Sequence, residues 1–554
     1  SLAPPLSLSP SIHSSLSSLS TPVLRALTVL ALSMGLHSPR AERQAALLEP
    51  SEAAASSLSL PIDESFASVK QPSRRGCGRL GFSQGSIWGT AFNMCSAILG
   101  AGALSLPHAV GAMGLLPALS LLLITALATH YSVVLLVSVI VETGTRSFED
   151  MTRQVFGRWN ARLVELSIIV FQFGTLVAYT VAIGDILQPL LTMPAIQTRL
   201  PWLTRDKIIG IFWVALMLPL SMVDKMSSLQ STSLFGVLAL VYLVVAVTIH
   251  FVVDATTNPS SNVEAAKLFE ATEDAVSASA ILMFAFTCQV NVPSLYAELG
   301  DTSPSRMTAV SRRAVGLALL CYLAIGVAGY LNFPTSHQGN LLNNYCLLYP
   351  ERSSQVANPP RVMIFAFGAI AFTILMAYPV NVYPVRYTLN EVFFHGWGER
   401  RKMARHIGLT LGVTTTTLLV ALVVPNISVV FSLMGGTASA YVCFIIPAAA
   451  ALRLSGSRGA VAGSPCRRNA GSQTGSHAAD QGIDGSLTHQ SPSTRSLESR
   501  VRCLCLLLFG VMVGVLSTTT TIAELFQQKP PLHGACDTPI GGEGYFHLGL
   551  TSLW

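Results

Sequence analysis

Two apolar stretches of this chain carry residues that plain membrane anchors do not need. The first, Trp88 to Ala109, is long enough to cross a bilayer, whose hydrocarbon core takes about 20 helical residues, yet it holds Gly100, Gly102 and Pro107. In a helix interior Gly costs about 1 kcal/mol and Pro about 3 relative to Ala, so this half of the span is expected to unwind. Lipid offers nothing to the peptide groups freed from Ile98 to Ala103; a bound polar solute could. Close packing against a neighbouring helix is the bland alternative for the two glycines. The second stretch, Ala278 to Leu299, places Gln289, Asn291 and Pro293 where lipid-facing sequence is uniformly apolar. Polar side chains at that depth face a bundle interior or a cavity, or act as interhelical contacts worth about 0.6 to 2 kcal/mol each. Gln172, Thr175, Tyr179, Thr373, Tyr378 and Asn381 are further polar residues in apolar runs. For any single hydroxyl among them, a bond to the preceding turn's carbonyl is the simpler reading. Asp185, near the outer end of its span, reads as interfacial rather than as a proton relay.

No enzyme chemistry assembles. His108, His130, His250, His337 and His395 are isolated, no acid pairs with a base, and no catalytic residue is assigned. The 10 cysteines contain no pair at metal-binding spacing, since Cys503 and Cys505 are two apart, so neither a metal site nor a cofactor is expected.

The elements that position these residues follow from composition. With 51% hydrophobic and only 11% charged residues the chain reads as a polytopic membrane protein, because soluble domains carry about 25% charged residues. Eleven spans are expected, near 86–109, 115–141, 163–191, 207–223, 231–253, 277–299, 313–333, 361–385, 406–424, 427–452 and 503–526. With the N-terminus inside, the cytoplasmic segments hold 27 of the 34 Lys and Arg residues, as orientation signals should. Basic residues spread in this way argue against a nucleic-acid partner. Residues 1–84 read as a disordered cytoplasmic leader, 85–453 as a ten-helix core and 454–502 as a disordered cytoplasmic insert. Residues 503–526 make the eleventh helix and 527–554 a non-cytoplasmic tail. On the outer side only Cys346 and Cys536 are placed for oxidation; a disulfide between them and two free thiols are both open.

If spans one to five and six to ten are inverted halves, the first and sixth occupy matching places and both are interrupted, the sequence pointer to a midplane site in secondary transporters. The motifs FNMCSAILGAGALSLPHAVGAMG, FGRWNARLVE, FAFTCQVNVPSLYAEL and YPVNVYPVR resemble the amino acid/auxin permease family, which includes sodium-coupled neutral amino acid transporters and vacuolar amino acid transporters. The resemblance covers roughly Ser86 to Arg453 plus a last span. It implies an all-α bundle of five-plus-five inverted repeats, of the APC type, with an eleventh helix, moving an amino acid by alternating access. It also implies that the substrate carboxylate meets the amides of Leu99, Gly100, Ala101, Gly102 and Ala103, and the amino group carbonyls of Phe286, Thr287, Cys288 and Gln289.

Departures from that family bear on the coupling ion. Sodium-coupled members resemble FNLSNAI in the first span, where this chain has Ser96 for the second Asn, and their eighth-span Thr falls near Leu375 or Ala377. Ser96, Thr373 and backbone carbonyls are left as a weak ion site. The motif CH of the sixth span reads Cys288-Gln289. Transport of amino acids, neutral ones foremost, is therefore expected to be sodium-independent, either proton-coupled or facilitative. A sodium-coupled symporter and an amino-acid sensor without net flux are the alternatives. Plasma membrane and vacuolar or lysosomal membrane are both open, as is the oligomeric state.

Overall fold

In a computed structural model of the chain, the described residues are 85–191, 202–222, 230–257, 266–270, 272–335, 338–345, 361–394, 402–424, 426–462 and 492–526. The expected leader, the tail after residue 526, and both Cys346 and Cys536 lie outside them. The described residues are helical with connecting turns and contain no strand.

The helices are α1 (Ile87–Ile98), α2 (Leu106–Met113), α3 (Leu115–Thr143), α4 (Phe148–Phe156), α5 (Arg158–Leu191) and α6 (Arg205–Phe212). They continue as α7 (Gln230–Thr257), α8 (Glu273–Ala285), α9 (Val292–Glu298), α10 (Pro304–Asn332) and α11 (Arg361–Phe394). The last are α12 (Lys402–Val423), α13 (Ile427–Met434), α14 (Ile446–Ala462) and α15 (Pro492–Phe526).

Among the described residues nine helical segments are long and apolar enough to span a bilayer, and ten if the bent pair α1 and Ala101–Met113 is one span. The eleven expected spans are thus not all matched. The fourth is α6 continued by a π-helical turn and a last short turn, pieces of 8, 5 and 4 residues, at the lower edge of the spanning range. At the flanks of the expected insert, α14 runs on to Ala462 and α15 starts at Pro492.

The spans are apolar outside and hydroxyl-bearing inside. On α3, Leu116, Leu123 and Leu127 face outward while Thr125, Thr129 and Ser132 are buried, the distribution expected where lipid replaces water around the bundle. Around the two interrupted spans, α10 packs on α1, α2 and α3, and α8 packs on α2, α13 and α15. Helix α11 lies against α5 and α7. Gly114 ends α2 at φ +82°, and a Cβ there would stand 2.8 Å from the backbone of Phe269. That space lets residues 267–270 run alongside the turn, with Leu115 N–H donating to the Lys267 carbonyl at 3.1 Å and Glu270 N–H to the Met113 carbonyl at 2.9 Å.

Candidate functional site

The first span breaks where its glycines stand. Ser86 caps α1, its hydroxyl accepting from Gly89 N–H at 3.0 Å, and the helix stops at Ile98. Leu99 (ψ 80°) and Gly100 (ψ −162°) leave helical geometry. The chain resumes as a 3₁₀ turn, Ala101–Ser105, leading into α2 with Pro107 in its first turn, where a missing N–H costs nothing. The two halves meet at 50°. Among the described residues the amides of Ala101 and Gly102 find no backbone carbonyl, as the leading amides of a helical segment do not. The sixth span breaks likewise, between α8 and a 3₁₀ turn at Gln289–Asn291 that leads into α9.

One side chain touches both breaks. The hydroxyl of Tyr322 on α10, fully buried, lies 2.7 Å from the carbonyl oxygen of Ile98 and 2.9 Å from that of Ala285, the last residues of α1 and α8. Its ring meets Phe286 edge-on at 5.1 Å.

Beside the first break is a cavity of about 440 Å³, within the range of small-molecule sites. Leu99, Gly100 and Ala101 line it, with Asn93 and Ser96 from α1 and Ser294 and Glu298 from α9. Helix α7 contributes only Gly236, Val237 and Leu240, and α11 adds Ile370 and Ile374 to that apolar wall. Tyr179, Thr373 and Asn381 add further polar groups to the lining. The two interrupted spans thus supply Asn93, Ser96, Asn291, Ser294 and Glu298 to the lining, while α7 supplies only glycine and apolar residues.

The two glycines do different things. A Cβ on Gly102 would stand 3.1 Å from the Ala285 Cα and 3.3 Å from the Phe284 ring, so Gly102 is the close-packing residue that lets the two spans touch. On Gly100 it would meet nothing nearer than 3.9 Å. Of the nine residues expected around the substrate, Leu99, Gly100 and Ala101 line the cavity, and Gly102 and Ala103 are buried behind them. Phe286, Thr287, Cys288 and Gln289 do not line it. Thr287 back-bonds to the Met283 carbonyl at 3.1 Å, and Gln289 accepts from Cys288 N–H at 2.9 Å while its Nε2 has no acceptor. From the sixth span the cavity instead meets Asn291, Ser294, Leu295 and Glu298.

Ser96 and Thr373, the weak ion site expected from the sequence, share the cavity, and Thr373 donates to the Ala369 carbonyl at 2.8 Å. Ala377 lines it without an oxygen to offer, and Leu375 is buried. Thr175 bonds back to Phe171 at 2.9 Å, the plainer of its two readings. Asp185 accepts from Arg205 Nε at 2.9 Å, away from the cavity. Sequence reasoning missed Glu298, which sits inside a quoted motif, and Tyr322, which carries no signal in an apolar run. Among the described residues no group of three His, Cys, Asp or Glu could hold a metal ion.

Residues 83–468 match the profile of a family described as transmembrane amino acid transporter protein. The amino acid transporter AVT6E of Arabidopsis thaliana is 30% identical over 383 residues, covering 67% of this chain and 77% of that protein. The sodium-coupled neutral amino acid symporter 2 of Danio rerio is 26% identical over 386 residues, 66% of this chain and 75% of its own. The vacuolar amino acid transporter 5 of Schizosaccharomyces pombe is 26% identical over 376 residues, 67% and 84%. A crystal structure of the Eremococcus coleocola manganese transporter overlays at a TM-score of 0.49 and 12% identity, covering 80% of this chain and 88% of that one, a likeness too loose to carry an argument.

Proposed function

The chain belongs to the transmembrane amino acid transporter family, a family of multi-pass membrane carriers and not of enzymes, and from that premise we propose that it moves neutral amino acids by alternating access without sodium. The observation that carries this reading is the cavity against the broken first span. Gly100 opens onto it, and the unpaired amides of Ala101 and Gly102 stand at the start of a helical segment, the arrangement that favours a carboxylate. The apolar wall of Val237, Leu240, Ile370 and Ile374 suits an uncharged side chain. The turn at Leu99 and Gly100 supplies the hinge on which α1 swings as access changes sides.

Sodium independence rests on oxygen supply. Where sodium-coupled members have the second Asn of the first span and a Thr of the eighth, this chain has Ser96 and, near the Thr, Leu375 and Ala377, which carry no side-chain oxygen. A proton-coupled or facilitative carrier is the consequence, with the N-terminus on the cytoplasmic side. Purified protein in liposomes, given a panel of labelled amino acids at two pH values, tests all of this. Uptake unchanged when choline replaces sodium is expected. Strict sodium dependence would refute the ion assignment, and no uptake of any amino acid would refute the carrier.

A further inference from the structure

Asn291 at the end of the 3₁₀ turn and Ser294 and Glu298 on α9 line the cavity, all three exposed. Among the described residues Glu298 is the one charged side chain on the cavity lining, and it makes no ion pair with them. It closes α9, seven residues or about 10 Å of helix rise from Asn291 at the break. A helix C-terminus carries a partial negative charge of its own, so carboxylate and dipole act together. An acid held unneutralised beside a cavity with low-dielectric walls projects its field along that cavity. Its sign attracts ammonium groups and repels free carboxylates.

We propose that Glu298, with Asn291 and Ser294, forms an entry station that receives an ammonium group of the substrate before the carboxylate reaches Gly100 and Ala101. This rests on the carrier reading above and adds to it an order of events: ammonium first at α9, carboxylate second at the broken span. The same chemistry serves the α-ammonium of a neutral amino acid and the side-chain ammonium of a basic one.

The test is uptake of leucine by the full chain in liposomes, with lysine and glutamate as competitors, for wild type, Glu298→Gln and Glu298→Asp at low and high salt. Glu298→Gln is expected to raise the leucine KM about two- to fivefold at low salt, leave the maximal rate unchanged, and lose most of that effect at high salt. Glu298→Asp, which keeps the charge, should stay near wild type. A weakening of lysine competition beyond the leucine change assigns the station to the side-chain ammonium, and equal changes assign it to the α-ammonium. Glutamate should compete better in Glu298→Gln. A salt-independent KM change, or none while wild type carries leucine, overturns the station and leaves the carrier standing. If wild type carries no amino acid, both fall.

Discussion

Replacing Tyr322 by Phe tests how the two broken spans are held together. The ring and its edge contact with Phe286 remain; only the hydroxyl goes. That hydroxyl has one proton and two acceptors, at 2.7 and 2.9 Å. The Ile98 carbonyl keeps a second donor, Gly100 N–H at 2.8 Å, whereas the Ala285 carbonyl has no other backbone donor among the described residues. An orphaned buried carbonyl costs about 1 to 3 kcal/mol, and single polar contacts in membrane bundles reach at most about 1.7, so a loss of about 1 to 2 kcal/mol is expected. In a thermal-shift assay this is a fall of about 1 to 4 °C. Because the group joins the ends of α1 and α8, the maximal uptake rate should also fall about fivefold, equivalent to about 1 kcal/mol of barrier. Tyr330→Phe is the control: that hydroxyl, also deep in the bundle, accepts from Lys267 N–H at 2.9 Å in a segment between spans, so its loss should lower the melting temperature and spare the rate. Unchanged melting and unchanged uptake in Tyr322→Phe would show that the shared hydroxyl contributes nothing.

Two further substitutions separate packing from function. Gly102→Ala forces a methyl to 3.1 Å from the Ala285 Cα and should cost about 1 to 3 kcal/mol through overpacking, seen as lower melting and poorer yield. Gly100→Ala has room and should melt like wild type while its methyl in the cavity raises the KM for uptake; equal destabilisation by the two would contradict their assignment. Asp185→Ala leaves Arg205, about a quarter exposed, without its 2.9 Å partner. That should cost about 1 to 3 kcal/mol, less than a fully buried pair because water still reaches the guanidinium. The Asp185→Ala/Arg205→Ala double variant should recover part of this loss, and strictly additive melting shifts would show the pair to be uncoupled.

Much of the fold was legible in the chain because the signals are local. A run of apolar residues as long as a bilayer is thick spans wherever it occurs, and Gly100 with Gly102 and Pro107 weakens a helix whatever surrounds it. The breaks in the first and sixth spans were therefore readable from residue types alone. The short fourth span was not: α6 is extended by a π-helical turn from Trp213 to Met217, and the Trp213 indole anchors that turn by donating to the Thr414 carbonyl on α12 at 3.1 Å. A contact across two hundred residues leaves no mark on hydropathy.

The sequence alone determined that this is a membrane bundle with two interrupted helices, because helix cost and lipid solvation depend on residue type and run length. It did not determine which glycine packs and which faces open space. Gly100 and Gly102 are chemically identical, and only the approach of Ala285 from the other broken span makes one a spacer and leaves the other bare. Likewise Phe286, Thr287, Cys288 and Gln289 do not line the cavity while Glu298 does, on a short helix, α9, that packs against α1 and α3. Such choices belong to the tertiary structure: the rotation of a helix after a break is set by what it packs against.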